Sequence, residues 1–466
     1  MTARRINYPA NSFPMSTVRG YCGSQICFAT TVRNGPGRLP SKTRRSFEVK
    51  FNTWTASAAV LALIAAPALA EESIEQWSFD NNVQTVGCDS CSGSSCDGGG
   101  SCGKGCGGSC GGRGGFLGAV EDFSLASMFG LEGSNWDIGG WSQFGYTDDQ
   151  VPLSKTRGDL KSFNDVQDLF RIQQQWFYIE KKADGSNGLD WGVRFDTIYG
   201  TDAQKTQSFG NPTGSFDEGF DNGIYGWAFP QLYGELAYGD FSVKIGHFLT
   251  IVGYEGVPAP NNFFYSHSLT NFNSEPFTHT GVLGTYSGYE NMTLYAGWTL
   301  GWDSGFDNLN SGNNYIGGAS LQLTDSINMT MISTYGNFGL RDGGDKNSYA
   351  HSIVFDVTLT DNLEYVFQSD LVDADDVGIP GTPGFINNDQ FGINQYLFYT
   401  WNDRIKVGNR IEWWKNGGTS HYEYTSGVNI KALNNLVFRP EYRRDWSPAS
   451  VGNNRETLGF DVILTY

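Results

Sequence analysis

The sequence predicts an all-β fold: a transmembrane, antiparallel, up-and-down β-barrel of about sixteen strands, preceded by a disordered Cys/Gly-rich segment. Three observations predict it. Segments of period-two apolarity recur from residue 134 to the carboxy terminus, the connections between them alternate short and long, and the chain ends on its most regular strand, "TLGFDVILTY". In that strand Leu458, Phe460, Val462, Leu464 and Tyr466 share one face, and Thr457, Gly459, Asp461 and Thr465 the other. Composition agrees: with 15% aromatic residues, 61 glycines and a mean hydropathy of -0.35, the chain suits strands and tight turns better than a helical core.

Residues 1–70 read as an export signal with a long amino-terminal region, whose start codon is open to reassignment. Lys42, Arg44, Arg45 and Lys50 precede the apolar run "ASAAVLALIAAPALA", and Ala68-Leu69-Ala70 fits small-residue cleavage before Glu71. The run is shorter than the roughly twenty residues of a spanning helix. These 70 residues are basic, holding one acid, Glu48, so the remainder is more acidic than the formal net charge of -18 indicates. A chain so acidic does not hold a phosphate backbone, and nucleic acid is excluded as a partner.

Residues 71–133 form the predicted flexible, periplasmic segment. Cys88, Cys91, Cys96, Cys102, Cys106 and Cys110 stand among glycines and serines with no apolar residue to build a core. In an exported chain these cysteines point to disulfides, within the segment or between molecules. Zinc is the alternative, since Cys88 and Cys91 have ligand spacing, although no second CxxC follows. A partial phosphate-loop match at Gly98 to Lys104 lacks its Ser or Thr, Gly105 standing there instead.

Residues 134–466 form the predicted barrel. "WGVRFDTIY" sets Trp191, Val193, Phe195 and Tyr199 against Arg194 and Asp196; "NLEYVFQSDL" sets Leu363, Tyr365, Phe367 and Leu371 against Glu364, Gln368 and Asp370; "IKVGNRIEWW" sets Ile405, Val407, Ile411 and Trp413 against Lys406, Arg410 and Glu412. Seven turns rich in Asp, Asn and Gly, such as "AYGDFS" and "LTDNLE", separate these segments on one side. Eight longer connections fall at roughly 147–166, 200–228, 251–278, 301–313, 336–348, 372–389, 415–421 and 445–456. Short turns on one side and long loops on the other are the mark of an outer-membrane barrel, and an even strand number puts both termini on the periplasmic side. The last strand then closes the sheet against the first, leaving no edge.

Several stretches are specific enough to carry a resemblance: "DWGVRFDTIYGTDAQ", "YGWAFPQLYGELAYGDFSVKIGHFLTIVGYEGVPAPNNFFYSHSLT", "SEPFTHTGVLGTYS", "TDNLEYVFQSDL" and "GINQYLFYTWNDR". From about 165 to 466 the chain resembles the Putative beta-barrel porin-2, OmpL-like family, planctomycete-type outer-membrane porins. The resemblance implies an outer-membrane pore and supplies neither a substrate nor catalytic residues. Tyr466 resembles the terminal aromatic by which the barrel-assembly machinery recognises such chains, and outer-membrane lipid, small solutes and a homo-oligomer are the implied partners.

On that basis Arg194, Asp196, Lys244, Glu364, Asp370, Arg410, Glu412, Glu423, Arg439, Glu441 and Arg443 are the expected pore-lining charges, and the acidic excess predicts cation preference. No cofactor is expected. The loop "IVGYEGVPAPNNFFYSHSLTNFNSEPFTH" is aromatic, proline-bearing and poor in charge, so it folds either into the lumen as a constriction or over the outside as a cap. "LVDADDVG" opens like a calcium loop but lacks the closing Glu. A hydrolase is disfavoured, because Ser266 and Ser268 beside His267 have no acidic orienter in sequence. A plugged envelope protein, cross-linked through its cysteines, is the alternative to a channel.

Overall fold

A computed structural model of the chain describes residues 123–149, 163–208, 221–306, 311–339, 348–374, 389–448 and 454–466. The export signal and all six cysteines of the Cys/Gly-rich segment lie outside the described residues, as does the second half of "LVDADDVG".

Sixteen strands follow one another in order. They are β1 Trp136–Thr147, β2 Arg171–Lys181, β3 Asp190–Gly200 and β4 Gly226–Tyr238, then β5 Phe241–Leu249, β6 Thr278–Tyr289, β7 Met292–Thr299 and β8 Asn313–Thr324. The second half holds β9 Ile327–Asn337, β10 Ser348–Thr360, β11 Leu363–Asp373 and β12 Gln390–Asn402, then β13 Ile405–Asn416, β14 Thr419–Leu433, β15 Leu436–Trp446 and β16 Arg455–Thr465. Each pairs antiparallel with its sequence neighbours, and β16 pairs with β1 to close the barrel. Closure runs from Thr147 opposite Gly459 to Trp141 opposite Thr465, and the main chains of Gly140 and Tyr466 exchange two bonds of 3.0 Å beyond it. The terminal strand is regular because it has partners on both sides.

Period-two alternation becomes an inside and an outside. Outward-facing Leu232, Leu236, Ile245, Val282, Met331, Leu397 and Ile411 form an exposed apolar band. Exposed Tyr238, Phe241, Tyr289 and Trp401 ring its short-turn end, and Trp227, Trp298, Tyr315 and Tyr335 ring its long-loop end. Two aromatic girdles around an apolar band match a bilayer core with an interface on either side. Tyr466 also lies on the outward phase, its hydroxyl donating to the Trp176 carbonyl at 3.1 Å and meeting the Gln175 amide.

Two features differ from expectation. The connection expected at 415–421 is a tight turn, Gly417-Gly418, with φ of 53° and 88°. A left-handed glycine pair lets β13 run straight into β14, so the hairpin needs no loop. The inward face is not uniformly polar either: Trp176, Ile198, Tyr233, Leu283, Ile316, Ile332, Val366 and Phe398 are all buried on it. Their burial comes from residues 250–277, the connection between β5 and β6, which turns into the lumen and packs against them.

A charged clamp on the segment inside the barrel

The inserted segment is apolar where it meets β4 to β12. Val252 packs with Tyr233, Phe248, Leu283, Ile316 and Ile332, while Phe264 packs with Val354, Val366, Tyr396 and Phe398. On the β1 to β4 side Val257, Ala259, Phe272 and Phe277 join Trp141, Trp176 and Ile198. Gln174 is hydrogen-bonded between them, giving its amide N–H to the Val257 carbonyl at 2.8 Å and accepting from the Ala259 N–H at 3.0 Å.

Against β13 to β16 the same segment is held by charge. Arg410 donates to Glu255 at 2.5 Å and to the Ser266 carbonyl at 2.9 Å, and its Nε reaches Glu423 at 3.0 Å. Arg439 donates to the carbonyls of Ala259 and Asn262 at 3.1 and 2.5 Å while it forks onto Asp461. Arg443 donates to the His267 carbonyl at 2.6 Å and forks onto Asp445 at 2.8 Å. Carboxylates supply the reverse polarity. Glu441 accepts the N–H groups of Tyr265 and Ser266 at 2.9 and 3.2 Å, and Glu412 accepts those of Leu269 and Thr270 at 2.7 and 2.6 Å.

The reason is local. Residues 255–268 are largely irregular backbone, whose peptide groups must find partners when buried. Alternating Arg and Glu on the inward phase of β13 to β15 provide donors and acceptors at strand spacing. Ser268 caps the short helix Leu269–Ser274 by accepting the Asn271 N–H at 3.1 Å.

Every expected lining residue that belongs to the clamp is therefore buried beneath the segment: Arg410, Glu412, Glu423, Arg439, Glu441 and Arg443. The other five lie elsewhere on the inward face. Arg194 forks onto Asp196, reaches Glu180 at 2.9 Å and covers the Tyr178 ring at 4.2 Å. Asp196 also accepts from Trp176 and Gln231. Lys244 sits 4.8 Å over the Tyr233 ring. Glu364 is bridged to Lys406 at 2.9 Å. Asp370, buried on β11, faces Glu275 of the segment, and together with burial it holds the Glu275 carboxyl well above the usual range. Burial also lowers His267, which is therefore a neutral imidazole.

Below the segment, toward the short turns, lies a cavity of about 430 Å³ bounded by Tyr254, Asn262, Phe263, Asp356, Glu364 and Lys406. Among the described residues, no group of three or more metal-ligating side chains converges. Glu255 and Gln174 are site residues that the sequence did not single out, and Lys406 and Asp461 stood on the polar phase without being counted among the lining charges. Glu255 had one signal, as an acid in a loop otherwise poor in charge.

Residues 135–465 match the family described as Putative beta-barrel porin-2, OmpL-like. The chain belongs to that family. Among solved structures it is similar to the outer membrane channel DcaP of Acinetobacter baumannii, with 9% identity and a TM-score of 0.49, covering 71% of this chain and 97% of that one. It is also similar to OmpT of Vibrio cholerae, with 11% identity, a TM-score of 0.45 and coverage of 71% and 98%. A mutant of the Rh. blastica porin shows 12% identity, a TM-score of 0.43 and coverage of 71% and 100%. No curated protein matches the sequence.

Proposed function

We propose that the protein is an outer-membrane porin through which ions and small hydrophilic solutes diffuse passively, with residues 250–277 narrowing the lumen. The observation that carries this reading is a closed sixteen-strand barrel, ringed by aromatics, whose long inward connection at residues 250–277 is fixed to the wall by side chains. A sixteen-strand barrel is wide enough to leave an aqueous path unless loops fill it. Arg194, Lys244 and Glu364 line the wall outside the clamp and meet the solute, while Asp196 and Asp370 are buried behind them and hold the wall together. Arg410, Glu412, Glu423, Arg439, Glu441 and Arg443 set the width of the path by holding the segment. The support for cation preference is composition, since each clamp arginine is paired with a carboxylate.

The test is single-channel conductance of the purified chain in a planar bilayer under a salt gradient. Discrete steps with a cation-selective reversal potential are expected. An anion-selective potential would remove the cation preference. Silence from a folded barrel would mean that the segment closes the lumen.

A further inference from the structure

Among the described residues, one inward-facing guanidinium makes no salt bridge. Arg171 opens β2 at the long-loop end, opposite Gly145, and only 2% of its surface is exposed. Its Nη1 donates to the Leu169 carbonyl at 3.0 Å, while Nε and Nη2 have no hydrogen-bond partner. Those two nitrogens form the side-on edge of the group, where parallel N–H bonds match two oxygens of one carboxylate or phosphate. The acids nearby are engaged elsewhere. Asp202 accepts from Gln174 at 3.0 Å and Thr201 at 3.2 Å, and Asp461 is held by Arg439 and by the Gln143 amide.

The surroundings repeat the pattern. Gln143 Oε1, Thr147 Oγ1, Gln173 Oε1 and Thr457 Oγ1, on the inward faces of β1, β2 and β16, are buried and also lack partners. Gly145 makes room for Gln173 and for one more polar group: a Cβ there would stand 2.0 Å from Gln173 Oε1 and 2.4 Å from the Tyr265 hydroxyl. Buried polar atoms are ordinarily satisfied, so five such residues on three adjacent strands mark a place built for something polar. Leaving a guanidinium edge buried and unpaired is costly, and a bound oxyanion offsets that cost.

We propose that Arg171 anchors a solute-binding station for oxyanions, a carboxylate or a phosphate group, on the long-loop side of the inserted segment. Nε and Nη2 take two oxygens of the anion, and the hydroxyls of Thr147 and Thr457 donate to the rest of the solute. This deepens the porin reading and rests on it insofar as solute must reach the lumen.

The experiment is calorimetric titration of the folded, detergent-purified protein with succinate in one arm and inorganic phosphate in the other, at constant ionic strength. Binding in at least one arm is expected, and the stronger arm identifies the class of anion. Arg171→Lys keeps the charge and loses the fork, so affinity should fall at least about tenfold; Arg171→Gln should abolish binding. If those variants do not fold, Thr457→Val and Thr147→Val carry the test, each with a smaller loss. Absence of binding in both arms up to roughly 10 mM, or unchanged affinity in the folded variants, would overturn the station. Conductance retained without anion binding leaves the porin and removes the station, whereas binding by a silent barrel does the reverse.

Discussion

The wall from β13 to β16 and the wall from β4 to β9 hold one segment in opposite ways. On the first, three guanidiniums and two glutamates meet main-chain carbonyls and N–H groups at defined distances. On the second, Val252 lies among Tyr233, Phe248, Leu283, Ile316 and Ile332 with no direction imposed. Charge-assisted hydrogen bonds fix position, while apolar contact resists separation but tolerates sliding. The charged wall thus sets where the constriction stands, and the apolar wall keeps the segment inside.

The sharpest way to break this contrast is Arg410→Ala. Arg410 is fully buried and links Glu255 of the segment to Glu423 of the wall, so its loss leaves Glu255 without its cation and Glu423 with only Arg443 at 3.6 Å. A stability loss of about 3–5 kcal/mol in urea unfolding is expected, with larger and noisier conductance steps as the segment loosens. A variant with native stability and native steps would show that the clamp does not position the segment.

Leu283→Ala probes the other wall. Removing a buried leucine side chain costs about 2–4 kcal/mol, yet the charged wall still fixes the segment, so the conductance step should stay native. Steps that grow as they do in Arg410→Ala would mean that both walls share the positioning, and the contrast would fall.

The parts legible in the sequence were those set by neighbours along the chain. Strand alternation and Asx/Gly turns gave the sixteen strands, and phase alone put Arg410, Glu412 and Arg443 on the inward side. What those charges touch was not legible, because Glu255 and Arg410 are 155 residues apart and no period links them. The hairpin at Gly417-Gly418 was misjudged as long because its strands carry Lys415, Asn416, Thr419 and Ser420 right up to the turn. Arg171 escaped notice for another reason. It opens "RIQQQWF", and an irregularity opposite Gln143 and Phe144 shifts the pairing there, so Gln173 and Gln174 are both buried where strict alternation would send one outward.

The smallest expected effect lies between the two walls, where Gln174 holds Val257 and Ala259 and is itself held by Asp202. Asp202 follows β3, at the start of the short helix Ala203–Thr206, and burial pushes its carboxyl up to about 7; Asp165 adds to the rise and Arg171 opposes it. The folded protein therefore keeps a proton that the unfolded chain releases near pH ~4. Between pH ~4 and ~7 the unfolded state binds fewer protons, so this group makes stability fall as pH rises, by at most about 1.4 kcal/mol per unit. Asp202→Asn cannot ionise and loses that slope. Urea midpoints of the two proteins should therefore diverge in favour of the variant as pH climbs from 4 to 7 and run parallel above it. A difference that does not change with pH would mean that Asp202 is ionised in the folded protein, and that the Gln174 contact is held by a carboxylate.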